Sequence, residues 1–256
     1  MVKQIISYNI NGIRAAVNKG FHEWIEDINA DILCIQEVKI QSEQIDKAIY
    51  NKYGYYTYWY SSEKKGYSGT AIFTKDKPDM LEYGMNIEKY DREGRLIRAD
   101  YKDLTLLCVY VPSGTMGGER QVFKMKFLKD FQNYIDDLKK VRPNIVVSGD
   151  FNICHKPVDI NHPEKHKKSS GFLPEERKWL DDFIESGFID TFREFNKEPE
   201  QYSWWSYRAN ARIKNLGWRI DYNMISKNLR SGLKDAGILN KVNHSDHCPV
   251  YAEIDF

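Results

Sequence analysis

The sequence is poor in cysteine, carries no excess of one charge sign and contains no long apolar run. Its four cysteines, Cys34, Cys108, Cys154 and Cys248, show no paired spacing. This argues against a disulfide framework and for a reducing compartment. No apolar stretch is long enough to span a bilayer, and Met1-Val2-Lys3-Gln4-Ile5 lacks a secretory pattern. These absences predict a cytoplasmic protein without a membrane segment. The net charge is +1, so a polyanionic partner must be met by local patches rather than by a global field. The six histidines form no zinc spacing; His162 and His166 lie in a proline-broken, lysine-rich loop and read as solvated. No Pro/Gly/Ser-rich linker divides the chain, which predicts one domain over residues 1–256.

What is present suffices for a large core: 41% of residues are hydrophobic and 14% aromatic. Short apolar runs recur at Ile5–Tyr8, Ile32–Ile35, Tyr55–Tyr60, Thr70–Phe73, Leu96–Tyr101, Leu104–Val111, Ile145–Val147, Ile220–Ile225 and Val250–Ile254. Their length and their β-branched and aromatic content predict strands. Phe21–Asn29 and Ser42–Tyr50 read as short helices. Over Gly118–Val141, the positions Val122, Met125, Leu128, Phe131, Ile135 and Leu138 repeat at three and four residues, the period of a helix. Another helix opens at Pro174-Glu175-Glu176 and stops at Gly187. Strands and helices mix without strict alternation, which predicts two sheets packed face to face with helices outside.

Carboxylates punctuate this pattern. Ile32–Ile35 precedes Glu37, Ile145–Val147 precedes Asp150, Trp218–Ile220 runs into Asp221, and Asp246-His247 stands just before Val250–Ile254. Any one acid after a strand is ordinarily a turn residue or a helix cap. Together, buried strands ending in acids place those acids on one sheet rim, and carboxylates with a histidine there suit metal-assisted hydrolysis. Asn9, Asn11 and Asn152 add donors for phosphate and oxygens for a cation without adding charge. An oxygen-rich, cysteine-poor set favours Mg²⁺, with Mn²⁺ able to substitute, over Zn²⁺. A weak internal echo links Ile5-Ile6-Ser7-Tyr8-Asn9-Ile10-Asn11 to Val146-Val147-Ser148-Gly149-Asp150-Phe151-Asn152. If real, it places two equivalent strand ends at one shared cleft.

A second signal lies in residues 201–220, which contain no acid, four basic residues (Arg208, Arg212, Lys214, Arg219) and half of the six tryptophans. Basic and aromatic residues together suit phosphate contacts with stacking or a groove wedge. At least one of Trp204 and Trp205 is expected in the core, and Arg219 is a candidate local partner for Asp221. Lys165–Lys168 reads as a solvated face, and Gly66-Tyr67-Ser68-Gly69 as a tight turn exposing a tyrosine.

The ordered set Asn9-Ile10-Asn11-Gly12-Ile13-Arg14, Ile35-Gln36-Glu37-Val38-Lys39, Gly66-Tyr67-Ser68-Gly69, Gly149-Asp150-Phe151-Asn152, Gly217-Trp218-Arg219-Ile220-Asp221-Tyr222 and Ser245-Asp246-His247-Cys248-Pro249 spans nearly the whole chain. It resembles the exonuclease III family of apurinic/apyrimidinic (AP) endonucleases, within the DNase I-like phosphodiesterase superfamily. The resemblance implies an α/β fold, a four-layer αββα sandwich of two mixed sheets flanked by helices. It implies metal-dependent incision of double-stranded DNA 5′ to abasic sites, trimming of 3′ blocks and 3′→5′ exonuclease activity. By motif position, Glu37 binds the metal with Asn11 and Asp246 nearby, and Asp150 orients or deprotonates the attacking water. His247, held by Asp221, contacts the scissile phosphate, while Asn9, Tyr110 and Asn152 stabilise its oxygens. Arg14, Lys19, Lys39, Tyr67 and Arg95 are implied backbone contacts; Arg208 and Trp218 line the minor groove and abasic pocket, with Ser113 and Trp204 also on the DNA side. Three positions depart from the family pattern. Ser113 and Ser169 stand where relatives often carry asparagine, and Arg208 where some insert an apolar wedge. The competing readings are a lipid-headgroup phosphodiesterase of the same superfamily and a non-catalytic nucleic-acid-binding relative. A monomer is expected, since no helix shows an apolar stripe beyond its core face.

Overall fold

The computed structural model describes residues 2–256. Among these, fourteen strands run in chain order: β1 (Val2–Asn9), β2 (Ile32–Gln36), β3 (Tyr56–Tyr60), β4 (Thr70–Thr74), β5 (Met80–Tyr83), β6 (Leu96–Asp100), β7 (Thr105–Tyr110), β8 (Ile145–Asp150), β9 (Phe188–Asp190), β10 (Trp204–Trp205), β11 (Gly217–Trp218), β12 (Asp221–Ser226), β13 (Leu233–Ile238) and β14 (Val250–Asp255). Twelve of them build two six-stranded sheets, ordered β13-β14-β1-β2-β4-β3 and β5-β6-β7-β8-β12-β9. Each sheet holds one parallel pair, β1 with β2 and β7 with β8. β1 packs across β8, and β2 across β7.

Three cores account for four layers. Between the sheets lie Ile5, Cys34, Ile72, Ile97, Cys108, Val146, Ile225 and Ile254. The outer face of the first sheet is covered through Phe21, Ile25, Tyr50 and Trp59, and that of the second through Phe127, Phe131, Leu180 and Phe183. The αββα sandwich expected from the sequence is the observed fold. All four cysteines are buried free thiols.

The nine apolar runs each fall within a strand or overlap one. The sequence pattern leaves out β5, β9, β10, β11 and β13. β5 and β13 are border strands with partly exposed faces, and β9, β10 and β11 are only two or three residues long, so no apolar alternation marks them. Gly118–Val141 is one helix, but its inward stripe begins differently from expectation. Val122 is 54% exposed, whereas Lys124 is fully buried, because the first turns of this helix meet the buried Glu176 rather than an apolar face. The helix Pro174–Glu185 starts with proline in its first turn, and Glu176 reaches back to the Leu173 N–H at 3.0 Å. Ser42–Tyr50 divides into a 3₁₀ turn (Ser42–Gln44) and a short helix (Lys47–Asn51).

Candidate active site

Parallel strands send their C-terminal ends to the same rim. β1 and β2 deliver Asn9 and Glu37, and β7 and β8 deliver Tyr110 and Asp150. Asp221 arrives in a different way from that expected: it opens β12 rather than ending a run. Because β12 is antiparallel to β8, Asp221 stands in register with Asp150. His247 comes from the segment leading into β14.

The sequence echo has a structural counterpart. After β1, the Asn9 side-chain oxygen accepts the Asn11 N–H at 3.0 Å; after β8, the Asp150 carboxylate accepts the Asn152 N–H at 2.8 Å. Asn11 and Asn152 both sit in the left-handed region, φ 48° and 52°, which asparagine tolerates well. The two turns meet: the Asn9 amide donates to Glu37 and to Asp150, both at 2.9 Å.

Donor atoms of Glu37, Asp150 and His247 all lie within 4.8 Å of one another. His247 Nδ1 pairs with Asp221 at 2.9 Å, and its Nε2 is 4.0 Å from Asp150. Ser203, which no sequence signal marks, donates to Asp221 at 2.6 Å while its oxygen accepts the Ile220 N–H. Asp246 accepts from Asn11 at 2.9 Å and from the Trp204 indole at 3.0 Å. Asn152 donates to the Val111 carbonyl and to Asp150.

These contacts set the charges. Burial and the Asp221 charge push the Asp150 carboxyl up to about 7, against the opposing pull of His247. Burial alone would neutralise His247, but Asp221, Asp150 and Asp246 outweigh it and raise the ring to about 10. Burial also acts on Glu37, where the Lys39 ammonium prevails and holds the carboxyl below its usual range. Burial and the Glu37 charge keep the Tyr110 hydroxyl protonated. The rim therefore offers ionised acids, one acid titrating near neutrality, and a cationic imidazole.

These groups floor a cleft of about 480 Å³ lined also by Ser113, Thr115, Ser169, Ser170, Gly171, Trp204, Trp218 and Ile220. Trp204 and Trp218 meet edge to face at 5.8 Å. Gly171 (φ 95°) lets the chain pass the Trp218 ring, which a Cβ would approach to 2.8 Å.

Residues 6–247 match the model of the Endonuclease/Exonuclease/phosphatase family. The chain belongs to this family. It is 40% identical to the exodeoxyribonuclease of Bacillus subtilis over 96% of its length and 97% of that protein. It is 39% identical to the DNA repair nuclease APEX1 of Danio rerio, covering 96% of the chain and 80% of that protein. A solved AP endonuclease from Archaeoglobus fulgidus superposes with a TM-score of 0.89 at 28% identity, over 99% of this chain and all of that one, 100%. A 3′ phosphatase from Neisseria, solved with a product DNA hairpin, gives 0.92 at 26% identity over 99% and 100% of the two chains. This member of the Endonuclease/Exonuclease/phosphatase family is a hydrolytic DNA-repair nuclease that acts on DNA.

In this family member, the residues expected at DNA divide into two groups. Arg14, Lys19 and Arg208 are exposed, and Tyr67, Lys39 and Ser113 are partly so. Lys19 donates to the His244 carbonyl at 3.0 Å. Arg95 departs from its expected role as a backbone contact. It is 2% exposed and donates to the Tyr110 carbonyl at 2.9 Å and to the Tyr67 hydroxyl at 3.1 Å, so it holds two tyrosines. In residues 201–220, Arg219 pairs with Asp159 and Asp190, both at 2.7 Å, rather than with Asp221. Arg212 lies over the Trp205 ring and donates to the Val242 carbonyl. Trp205 is the core tryptophan and Trp204 the cleft tryptophan. Of the four basic residues there, Arg208 and Lys214 face solvent.

Proposed function

We propose that the protein hydrolyses the phosphodiester 5′ to an abasic site in duplex DNA, trims 3′ blocks, and works as a cytoplasmic monomer with Mg²⁺. The observation that carries this reading is the polar chain Asp221–His247–Asp150–Asn9–Glu37, hydrogen-bonded except at the 4.0 Å contact of His247 with Asp150, beneath a cleft walled by two tryptophans. The cleft suits a base-free sugar turned out of the duplex, and flipping costs least where stacking is already lost. A reducing compartment agrees with four free thiols. Among the described residues, no helix is long and apolar enough to cross a membrane.

The donor set fits a hard divalent cation. Carboxylate oxygens of Glu37 and Asp150 converge, and Asn11 and Asp246 stand beside them, with the cationic His247 ring flanking the place as a donor rather than a ligand. The Lys39 ammonium, bonded to both Glu37 and Asn11, marks the place as one that attracts positive charge. When bound there, Mg²⁺ supplies Lewis-acid neutralisation of the phosphate. The protein's own groups do the remainder. Asp150 accepts the proton of the attacking water. His247, kept cationic and aligned by Asp221, donates to a phosphate oxygen as charge builds. The Tyr110 hydroxyl adds a donor at the same rim, contributing about 3–4 kcal/mol by analogy with oxyanion-hole donors, whereas the Asn152 amide, bonded to the Val111 carbonyl and to Asp150, orients that acid. Both donor directions of Asn9 are taken by Glu37 and Asp150, so its role is to orient those acids.

The test is incision of a duplex oligonucleotide bearing one tetrahydrofuran abasic analogue, with Mg²⁺ and with EDTA, against the intact duplex. Metal-dependent cutting immediately 5′ to the analogue is expected. Binding without cutting would instead support a non-catalytic reading.

A further inference from the structure

Lys124 and Glu176 are both fully buried and pair at 2.5 Å, yet neither lines the cleft. Removing an ion pair from water opposes folding, and an apolar pair of similar volume packs at least as well. The pair is informative through what else it holds. Lys124 Nζ also donates to the Asn152 carbonyl at 2.8 Å. One Glu176 oxygen accepts the Gly171 N–H at 2.6 Å and the Leu173 N–H at 3.0 Å. The other lies 3.2 Å from the Ser170 hydroxyl and accepts the Gln121 amide at 3.1 Å. Gln121 in turn supports the third loop: a Cβ on Gly114 would lie 1.8 Å from the Gln121 oxygen. Asn152, Ser169–Gly171, Ser113 and Thr115 line the cleft; the first two segments are held by the pair itself, and the third packs against Gln121, which the pair holds.

We propose that Lys124, Glu176 and Gln121 are positioning residues that fix the width of the cleft and so its preference for a base-free sugar over an intact nucleotide. The inference rests on the reading that the cleft receives the extrahelical sugar. Gly171 backs Trp218, so release of the Gly171 N–H from Glu176 frees the aromatic wall as well as the loop. The acids Asp150 and Asp221 are anchored by the pairing of β8 with β12, and the buried pair reaches them only through the Asn152 backbone carbonyl. Loss of the pair therefore acts on selectivity ahead of chemistry.

The experiment compares the full-length wild type with Glu176→Gln, Lys124→Met and the milder Gln121→Ala, with thermal melting recorded for each. Anisotropy in EDTA gives the affinity for a tetrahydrofuran duplex and for the undamaged duplex; steady-state incision gives kcat and KM. For Glu176→Gln and Lys124→Met the expected result is a fall of about tenfold in the ratio of the two affinities, on the scale of a sub-ångström misplacement, with KM moved more than kcat. Gln121→Ala, which leaves both ions in place, is expected to lower the ratio by about threefold. Lower melting with unchanged ratios overturns the inference and leaves the pair a structural one. If the two ion-pair variants do not fold, Gln121→Ala decides alone, and an unchanged ratio there overturns it. A wild type without preference for the tetrahydrofuran duplex overturns the substrate reading and the inference together.

Discussion

Asp150 and Asp221 face one another in the register of β8 and β12, and the His247 ring spans the space between their carboxylates. The acids thus act on opposite edges of one imidazole. Asp221 fixes its orientation and helps to hold its charge, and Asp150 stands at the edge that opens on the cleft.

From this arrangement, Asp150→Asn is expected to remove the proton acceptor and to set its own NH2 group against one of the amide donors that the carboxylate now accepts. Single-turnover incision should fall on the order of 10²- to 10⁴-fold. Affinity for the tetrahydrofuran duplex should stay within a few-fold. A variant that cuts at the wild-type rate would assign the base elsewhere.

Lys39 contacts Glu37 and Asn11, two residues assigned here to the cation. Lys39→Ala should therefore tighten Mn²⁺ binding, followed by electron paramagnetic resonance in the absence of DNA. Asn11→Asp should do the same by adding a hard anionic ligand. Unchanged Mn²⁺ affinity in both variants would move the metal away from this corner. Chelation of the wild type should abolish incision, with recovery on adding Mg²⁺.

The Asp159 carboxyl offers a pH test outside the proposed cation site. Burial pushes it up, but Arg219 and Arg193 outweigh that and hold it at about 2. A carboxyl depressed on folding contributes stability above its unfolded value of 3.8 and loses it as pH falls toward 2. Asp159→Asn should thus cost about 3 kcal/mol at neutral pH, the scale of a broken buried ion pair. In urea titrations the gap from wild type should narrow below pH 4 by about 2 kcal/mol. A gap independent of pH would mean that Asp159 acts through packing alone.

Arg208 and Lys214 are the solvent-facing basic residues of the 201–220 segment. Alanine at either position should lower the slope of log affinity against log salt by about 1 for duplex DNA. Alanine at Arg219, held between Asp159 and Asp190, should instead lower the melting temperature. A changed salt slope with intact stability at Arg219 would reverse that assignment.

The central architecture was legible because β1, β2, β7, β8 and β12 are apolar runs buried on both faces. Glu37, Asp150 and His247 were legible because acids or histidine punctuate those runs. Ser203 was not: its value comes from its contact with Asp221, 18 positions away in sequence, and nothing in its neighbourhood says so. Arg95 and Arg212 were misleading for the same reason, and Arg219, expected beside Asp221, finds Asp159 and Asp190 instead. A basic residue reads as solvent-facing until the tertiary structure supplies a buried acid or carbonyl. Lys124 broke a helical stripe that looked apolar, because its partner Glu176 lies 52 positions away.

The turns after β1 and β8 are near copies, with an amide at Asn9 where the other has a carboxylate at Asp150. A second carboxylate in place of Asn9 would crowd like charges against Glu37 and Asp150, and one of them would have to keep a proton. The amide instead bridges the two acids without charge. A duplicated frame is thereby made one-sided: one strand end carries a neutral amide and the other a titratable acid.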